Sequence, residues 1–364
     1  MIYFDYAATS KKREEIMKKI MDDFDSFNGN PNSQHAYGRQ ARKILEEARE
    51  KIAKSINADP NQIIFTSGAS ESNNMVMNAF DKNHIISSSV EHQSVLNSIK
   101  DRKIFSTLIN PNKDGVVEVG DVEKAIRKDT KLISLIYVNN EIGSINPIEE
   151  IGRLADEEDI WFHVDAVQAY GHIDIDVEKL KCDSMSLSGH KIGGLNGFGA
   201  IYLRKNIDSL IFGGNQEKKR RAGTSFVAGA YSMAKSWPYM LEERDKIKEL
   251  KKSFIKELDK AGISYEVNGS LDNSSDHILN IYLYFAKSDF LLTYLDLNGV
   301  CASAGSACTA GSLEASYVIE KMYDRNRANH SVRFSFGFDN TLEDVKTTVT
   351  LLKKLEERMT NERQ

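Results

Sequence analysis

The feature that most constrains this chain is a repeated switch of hydrophobic period between residues 36 and 205. Residues 36 to 57 place Ala41, Ile44, Leu45, Ala48, Ile52 and Ile56 on one side of a 3.6-residue repeat. That spacing predicts an amphipathic helix with a charged outer face. The stretch DPNQIIFTSGASES then supplies a turn, a short apolar strand and a Gly-Ala-Ser corner that opens the next helix. Strand IISSS (85–89) leads to a helix over 91–100, and strand KLISLIYVN (131–139) to a helix over 147–159. Strands IWFHVDA (160–166), SMSLS (184–188) and GAIYLRK (199–205) complete the series. Strands alternating with helices predict an α/β fold with a mostly parallel sheet covered on both faces. In such sheets ligands gather at the carboxyl ends of the strands.

The alternation stops beyond that. A strongly charged helix is expected from about Met240 to Ala261. HILNIYLYF (277–285), VCASAGSACT, SVRFSFG (331–337) and a terminal helix from Thr341 follow without a regular βα order, which predicts a smaller α+β domain. The expected division is therefore a large domain over 14–244 and a small one over 245–364, joined by residues 1–13. The first dozen residues alone would fit either.

Bulk properties narrow the function classes. Apolar residues make up 41 % of the 364 and charged residues 28 %, as in ordinary globular proteins. A formal charge of −5 argues against a nucleic-acid groove as the main site. There are three cysteines and no CxxC, so neither a zinc ribbon nor a disulfide framework is expected, and a reducing cytoplasm is. The eight histidines form no HxH or HxxxH pair, so no metal site is expected. MIYFDYAATSKKREE has no basic-then-apolar leader, and the chain has no long apolar run, so no signal peptide and no membrane contact are expected.

Three stretches carry chemistry. In SLSGHKIGG, Lys191 ends a strand between glycines. Taken alone it reads as a solvated loop residue, but Ser188, His190 and Lys191 converge where the sheet ends. In HVDAVQA, Asp165 and Gln168 follow a buried-looking strand. Asp165 reads either as a helix cap or as a carboxylate facing a pyridinium nitrogen, which with a lysine suits pyridoxal phosphate. In TSGASES, the backbone of Gly68, Ala69 and Ser70 opens a helix whose N-terminus suits a phosphate.

With FDYAATS, GNPNSQH, SVEHQSV, VNNEIG, RRAGTS, SAGSACTAGS and HSVRFSFG added, the order and content resemble a known family over nearly the whole chain. It is that of the pyridoxal-phosphate-dependent cysteine desulfurases, in the class V aminotransferase fold group. The resemblance implies fold type I, with a seven-stranded sheet flanked by helices, and pyridoxal 5'-phosphate as cofactor. It implies that Lys191 holds the cofactor, that Asp165 meets the ring nitrogen and Gln168 the phenolic oxygen, and that His92 stacks on the ring and moves protons. Gly68, Ala69, Ser70, Ser188 and His190 match phosphate contacts. Thr224 matches one supplied by the neighbouring subunit, hence a homodimer. Asn140 and Arg333 match groups that hold the carboxylate of L-cysteine, for which a planar guanidinium fork is suited.

The resemblance also explains Cys308, which stands among small residues with no apolar wall in sequence. The family's reaction moves sulfur from L-cysteine to a protein thiolate and releases alanine, so Cys308 is expected to carry a persulfide on a mobile loop. Gly305, Gly311 and the alanines keep that loop permissive. An ordinary thiol, with a pKa of about 8.5, is little ionised at neutral pH, so a lowered pKa is expected. Cys182 and Cys301 read as small packed residues. Ser70 stands where relatives have threonine, and Ala304 where serine is common. HKIGGLNGFGA lacks an aromatic and a proline that relatives carry, which predicts a looser loop after Lys191. The terminal helix is followed by a shorter tail than many members carry for docking. The sulfur acceptor thus stays open among an iron–sulfur scaffold, a tRNA-thiolating enzyme and a thiamine-pathway carrier. Selenocysteine lyase or aminotransferase activity is the alternative, the latter having no use for a mobile thiol.

Overall fold

The computed structural model describes residues 1–305 and 315–361. Its strands, in chain order, are β1 (Ile2–Tyr3), β2 (Ile63–Thr66), β3 (His84–Ser88), β4 (Ser106–Ile109), β5 (Thr130–Ile136) and β6 (Trp161–Asp165). They continue with β7 (Ser184–Ser188), β8 (Gly199–Leu203), β9 (Tyr265–Val267), β10 (Ile278–Leu283), β11 (Val300–Cys301) and β12 (Ser331–Ser335). The main sheet has seven strands in the order β2-β8-β7-β6-β5-β3-β4. The block from β4 to β7 is parallel, and β8 runs antiparallel to both of its neighbours. The expected mostly parallel seven-stranded sheet is observed.

Side chains alternate across a strand, so neighbouring residues must bury on opposite faces. Ile63, Ile86 and Ile133 join the core on one face, against helices Ala36–Lys54, Ile148–Glu157 and Val227–Lys260. Ile64, Ile85 and Leu132 join the core on the other, against helices Ala69–Ala79 and Gln93–Asp101. Continuous apolar strands are what a sheet covered on both sides requires. Truncating Ile133 to alanine at the centre of this sheet would cost about 2–5 kcal/mol.

A three-stranded antiparallel sheet, β12-β10-β9, forms a second centre with its own core around Phe254, Phe334 and Leu352. The N-terminal strand β1 pairs with β11, and Phe4 packs edge-on against Phe254 in that core. The helix expected from Met240 starts at Val227 and runs to Lys260, with Pro238 inside it. Its first half buries Val227, Ala230, Met233 and Ala234 rather than showing charge, which hides its start from a reading based on charge. Residue 244 lies within this helix.

Cys182 is fully buried, as expected, and burial pushes its thiol pKa up. Cys301 is only partly buried, because β1 and β11 make a two-stranded sheet of two-residue strands. No helix among the described residues is long and apolar enough to cross a membrane.

Candidate active site

A cavity of about 340 Å³ opens at the carboxyl ends of the parallel strands. Eleven of the thirteen residues expected at the site line it: Gly68, Ala69, Ser70, His92, Asn140, Asp165, Gln168, Ser188, His190, Lys191 and Arg333. Thr224 does not. It is exposed and lines a neighbouring hollow that shares Ser67 and Gly197 with the cavity. Cys308 lies outside the described residues.

The corner opening helix Ala69–Ala79 depends on glycine. Gly68 has φ +151°, where an L side chain is strained. Gly199 of β8 packs so close that a Cβ there would lie 2.7 Å from the Gly68 Cα. The first turn of the helix, with the Ala69 and Ser70 backbone and the Ser70 hydroxyl, therefore lines the cavity directly.

β7 ends at Ser188, and one 3-10 turn, Gly189–Lys191, swings the lysine into the cavity. Lys191 Nζ donates to the carbonyls of Ala7 (2.6 Å) and Ala8 (2.7 Å). The next loop, expected to be loose, is tied by Gly194 N–H to the Gly189 carbonyl and by Leu195 N–H to Ser232 Oγ, 2.9 Å each. Burial, helped by the Lys191 charge, pushes His190 down to about 3, so it is neutral at pH 7.

Asp165 ends β6 and is 2 % exposed. Its Oδ1 accepts from Val167 N–H at 3.1 Å and its Oδ2 from Asn73 Nδ2 at 2.8 Å. Gln168 is clamped at both ends. Its Nε2 donates to the Ala7 carbonyl at 2.8 Å, and its Oε1 accepts from His277 Nε2 at 3.0 Å. A carbonyl accepts only, so this geometry sets which way the amide faces. His277 in turn stacks on His172 with ring centroids 3.5 Å apart. His92 caps helix Gln93–Asp101, its Nδ1 accepting from Ser94 N–H at 3.1 Å.

The opposite wall is built differently. Arg333, in β12, is 1 % exposed. It donates to the Asn140 carbonyl at 2.7 Å and to Asp5 Oδ1 at 2.8 Å. Its Nε, like Asn140 Oδ1, is buried without a partner among the described residues. The strand-like pairing of Ser303 with Arg333 and the Ser316–Glu141 hydrogen bond hold the chain on either side of residues 306–314. A Cβ on Gly305 would lie 3.5 Å from Ser316 Cα, so these two ends meet beside the cavity wall.

Motif reasoning missed Ala7, Ala8, Asn73, His163 and His277. The alanines act through backbone carbonyls, which leave no side-chain signal. Asn73, in ESNN, and His163, in FHVDA, sit inside a helix and a strand, where polar residues ordinarily read as structural.

The aminotransferase class-V family model matches residues 2–347. The chain belongs to that family, whose members depend on pyridoxal phosphate. Among curated relatives it is 40 % identical to a putative cysteine desulfurase IscS 1 of Bacillus subtilis, over 99 % of both chains. It is 41 % identical to a cysteine desulfurase IscS of Dictyoglomus turgidum, over 98 % of this chain and 95 % of that one. Among solved structures, a NifS-like protein superposes with TM-score 0.89 at 32 % identity, over 99 % of both chains. A structure titled SspA in complex with cysteine gives TM-score 0.82 at 32 % identity, over 92 % of this chain and 99 % of that one.

The donor set fits the cofactor. One cavity holds an amine, a buried carboxylate that accepts two hydrogen bonds, a helix N-terminus with hydroxyls, and an imidazole. The unpartnered Asn140 Oδ1 and Arg333 Nε mark where a further polar ligand would be met.

Proposed function

We propose that this chain removes sulfur from L-cysteine, releasing alanine, with Lys191 holding the cofactor and Cys308 accepting the sulfur. The observation that carries the reading is the joining, in one cavity, of Lys191, Asp165 and His92 with the buried guanidinium of Arg333. When bound, pyridoxal phosphate supplies an electron sink for the substrate's carbon skeleton.

The roles follow from position. Lys191 would hold the cofactor through Nζ, and the same amine would carry protons. Asp165 would face the ring nitrogen, and Gln168 would offer its second N–H to the phenolic oxygen. Gly68, Ala69, Ser70, Ser188 and neutral His190 hold the phosphate. Arg333 and Asn140 orient the substrate carboxylate. The Cys308 thiolate attacks the substrate sulfur. An S–S bond forms, the C–S bond breaks, its electron pair goes to the substrate carbon, and that carbon takes up a proton. The sum is cysteine plus thiol giving alanine plus persulfide.

The exposure of Thr224 beside the cavity supports its service to a second copy, hence a homodimer. The two separate cores support a large domain over 14–244 and a small one over 1–13 and 245–364. The persulfide then passes to an acceptor protein, an iron–sulfur scaffold or a tRNA-thiolating enzyme, in the cytoplasm. Borohydride should fix the cofactor on the peptide containing Lys191. Cys308→Ala should keep the visible cofactor band and lose sulfide release from L-cysteine. Unchanged release by that variant would point instead to a lyase that needs no protein thiol.

A further inference from the structure

One face of β6 carries three polar side chains at alternate positions, Trp161, His163 and Asp165. Only Asp165 lines the cavity. His163 is fully buried beneath it, opposite Ser184 of β7 in the strand register. Helix Ala69–Ala79 lies across this face and contributes Asn73, also fully buried.

The direction of the hydrogen bonds through these residues is set at the Asp165 end, where Oδ2 accepts from Asn73 Nδ2 and so turns the Asn73 oxygen toward His163. The Trp161 indole N–H points to Ser184 Oγ at 2.9 Å. The same Ser184 Oγ lies 2.9 Å from His163 Nδ1 and donates to it when the ring proton is on Nε2. The Asn73 oxygen only accepts, so His163 Nε2 carries the proton and donates to it at 3.0 Å. Ser186 Oγ lies 3.4 Å from the same Nε2, a longer and weaker approach. Burial pushes His163 down to about 3, which keeps it neutral. With its oxygen so engaged, Asn73 has both N–H groups on the far side. One meets Asp165 Oδ2 at 2.8 Å and the other Ser94 Oγ at 2.9 Å. Because the Ser94 backbone N–H donates to His92 Nδ1 at 3.1 Å, that nitrogen accepts, and the Ser94 hydroxyl donates to it as well at 2.8 Å.

We propose that Asn73 is a positioning residue: clamped by His163, its one amide orients the Asp165 carboxylate and, through Ser94, sets Nε2 as the nitrogen of His92 that carries the proton. The proposal rests on the reading of Asp165 and His92 as cofactor-contacting groups. It makes the two sides of the cofactor, the ring-nitrogen partner and the face-stacking imidazole, answer to a single buried side chain. Nothing in the residue types alone demands this. Two donors on Nδ1 place the proton of a neutral His92 on Nε2, where it can donate a hydrogen bond.

The test is the pH titration of the visible cofactor band in the Asn73→Ala holoenzyme. Losing a hydrogen bond to a charged group should move the midpoint by about one pH unit and weaken cofactor binding about tenfold. The value of kcat should fall while KM for L-cysteine stays close to wild type. A folded variant with the wild-type midpoint and cofactor affinity would overturn the proposal. If Asn73→Ala does not fold, nitrogen-15 histidine NMR of the wild-type holoenzyme decides. Protons on Nε2 of both His163 and His92 support the proposal, and an Nδ1–H on either overturns it. The proton positions are read without turnover, so their outcome is independent of whether L-cysteine is the substrate.

Discussion

The two walls of the cavity differ in how completely their polar atoms are engaged. On the sheet side, both oxygens of Asp165 and both ends of the Gln168 amide have protein partners, and Lys191 meets two carbonyls. On the β12 side, Asn140 Oδ1 and Arg333 Nε are buried without partners among the described residues. An unpartnered buried polar atom costs about 1–3 kcal/mol. The sheet wall is thus organised in advance, whereas the β12 wall holds hydrogen-bonding capacity that a ligand completes. The first arrangement suits a resident cofactor, the second a substrate that comes and goes.

The largest expected effect tests the sheet wall. Lys191→Ala should lose the visible band and reduce alanine formation at least about a thousandfold. A variant with normal turnover would break the contrast at its strongest point. Next comes the β12 wall. Arg333→Lys keeps the charge but loses the planar fork, so kcat/KM for L-cysteine should fall about 10- to 100-fold with the band unchanged. A lost band with normal KM would reverse the assignment of the two walls.

Two smaller effects concern pH. Glu91, fully buried, has its pKa raised from 4.5 to about 8, chiefly by burial. The folded state then holds a proton that the unfolded state has lost. The contribution of Glu91 to stability should therefore fall as pH rises from 4.5 to 8. Glu91→Gln should flatten this arm and stabilise the protein by about 1–2 kcal/mol at pH 8, read from urea unfolding. Conversely, His163, His172 and His190 are pushed from 6.5 down to about 3, mainly by burial. For these the unfolded state binds the extra proton, so their three contributions, which outnumber that of Glu91, should decline as pH falls from 6.5 toward 3. A pH-independent melting temperature across that window would show these rings to be more accessible than their packing implies.

Much of the sheet wall was legible in the sequence. Lys191, Asp165 and Gln168 follow strands whose period is unmistakable, and parallel sheets present ligands at that end. Arg333 and Asn140 were legible only through family resemblance, since nothing in their spacing brings residues 193 positions apart together. The supporting tier was not legible. Asn73, His163 and His277 work by hydrogen bonds whose direction depends on partners distant in sequence, and Ala7 and Ala8 contribute carbonyls that every residue has. The start of helix Val227–Lys260 was hidden because its first half is buried and small-residue-rich, unlike the charged second half.

The central claim is that the cofactor wall prepares the substrate while Cys308 takes its sulfur. The direct measurement is mass spectrometry of the holoenzyme after one turnover with L-cysteine, in the absence of any acceptor or reductant. The account predicts alanine in step with one added sulfur on the peptide containing Cys308. Alanine released with that peptide unmodified, and sulfur elsewhere or free in solution, would contradict it.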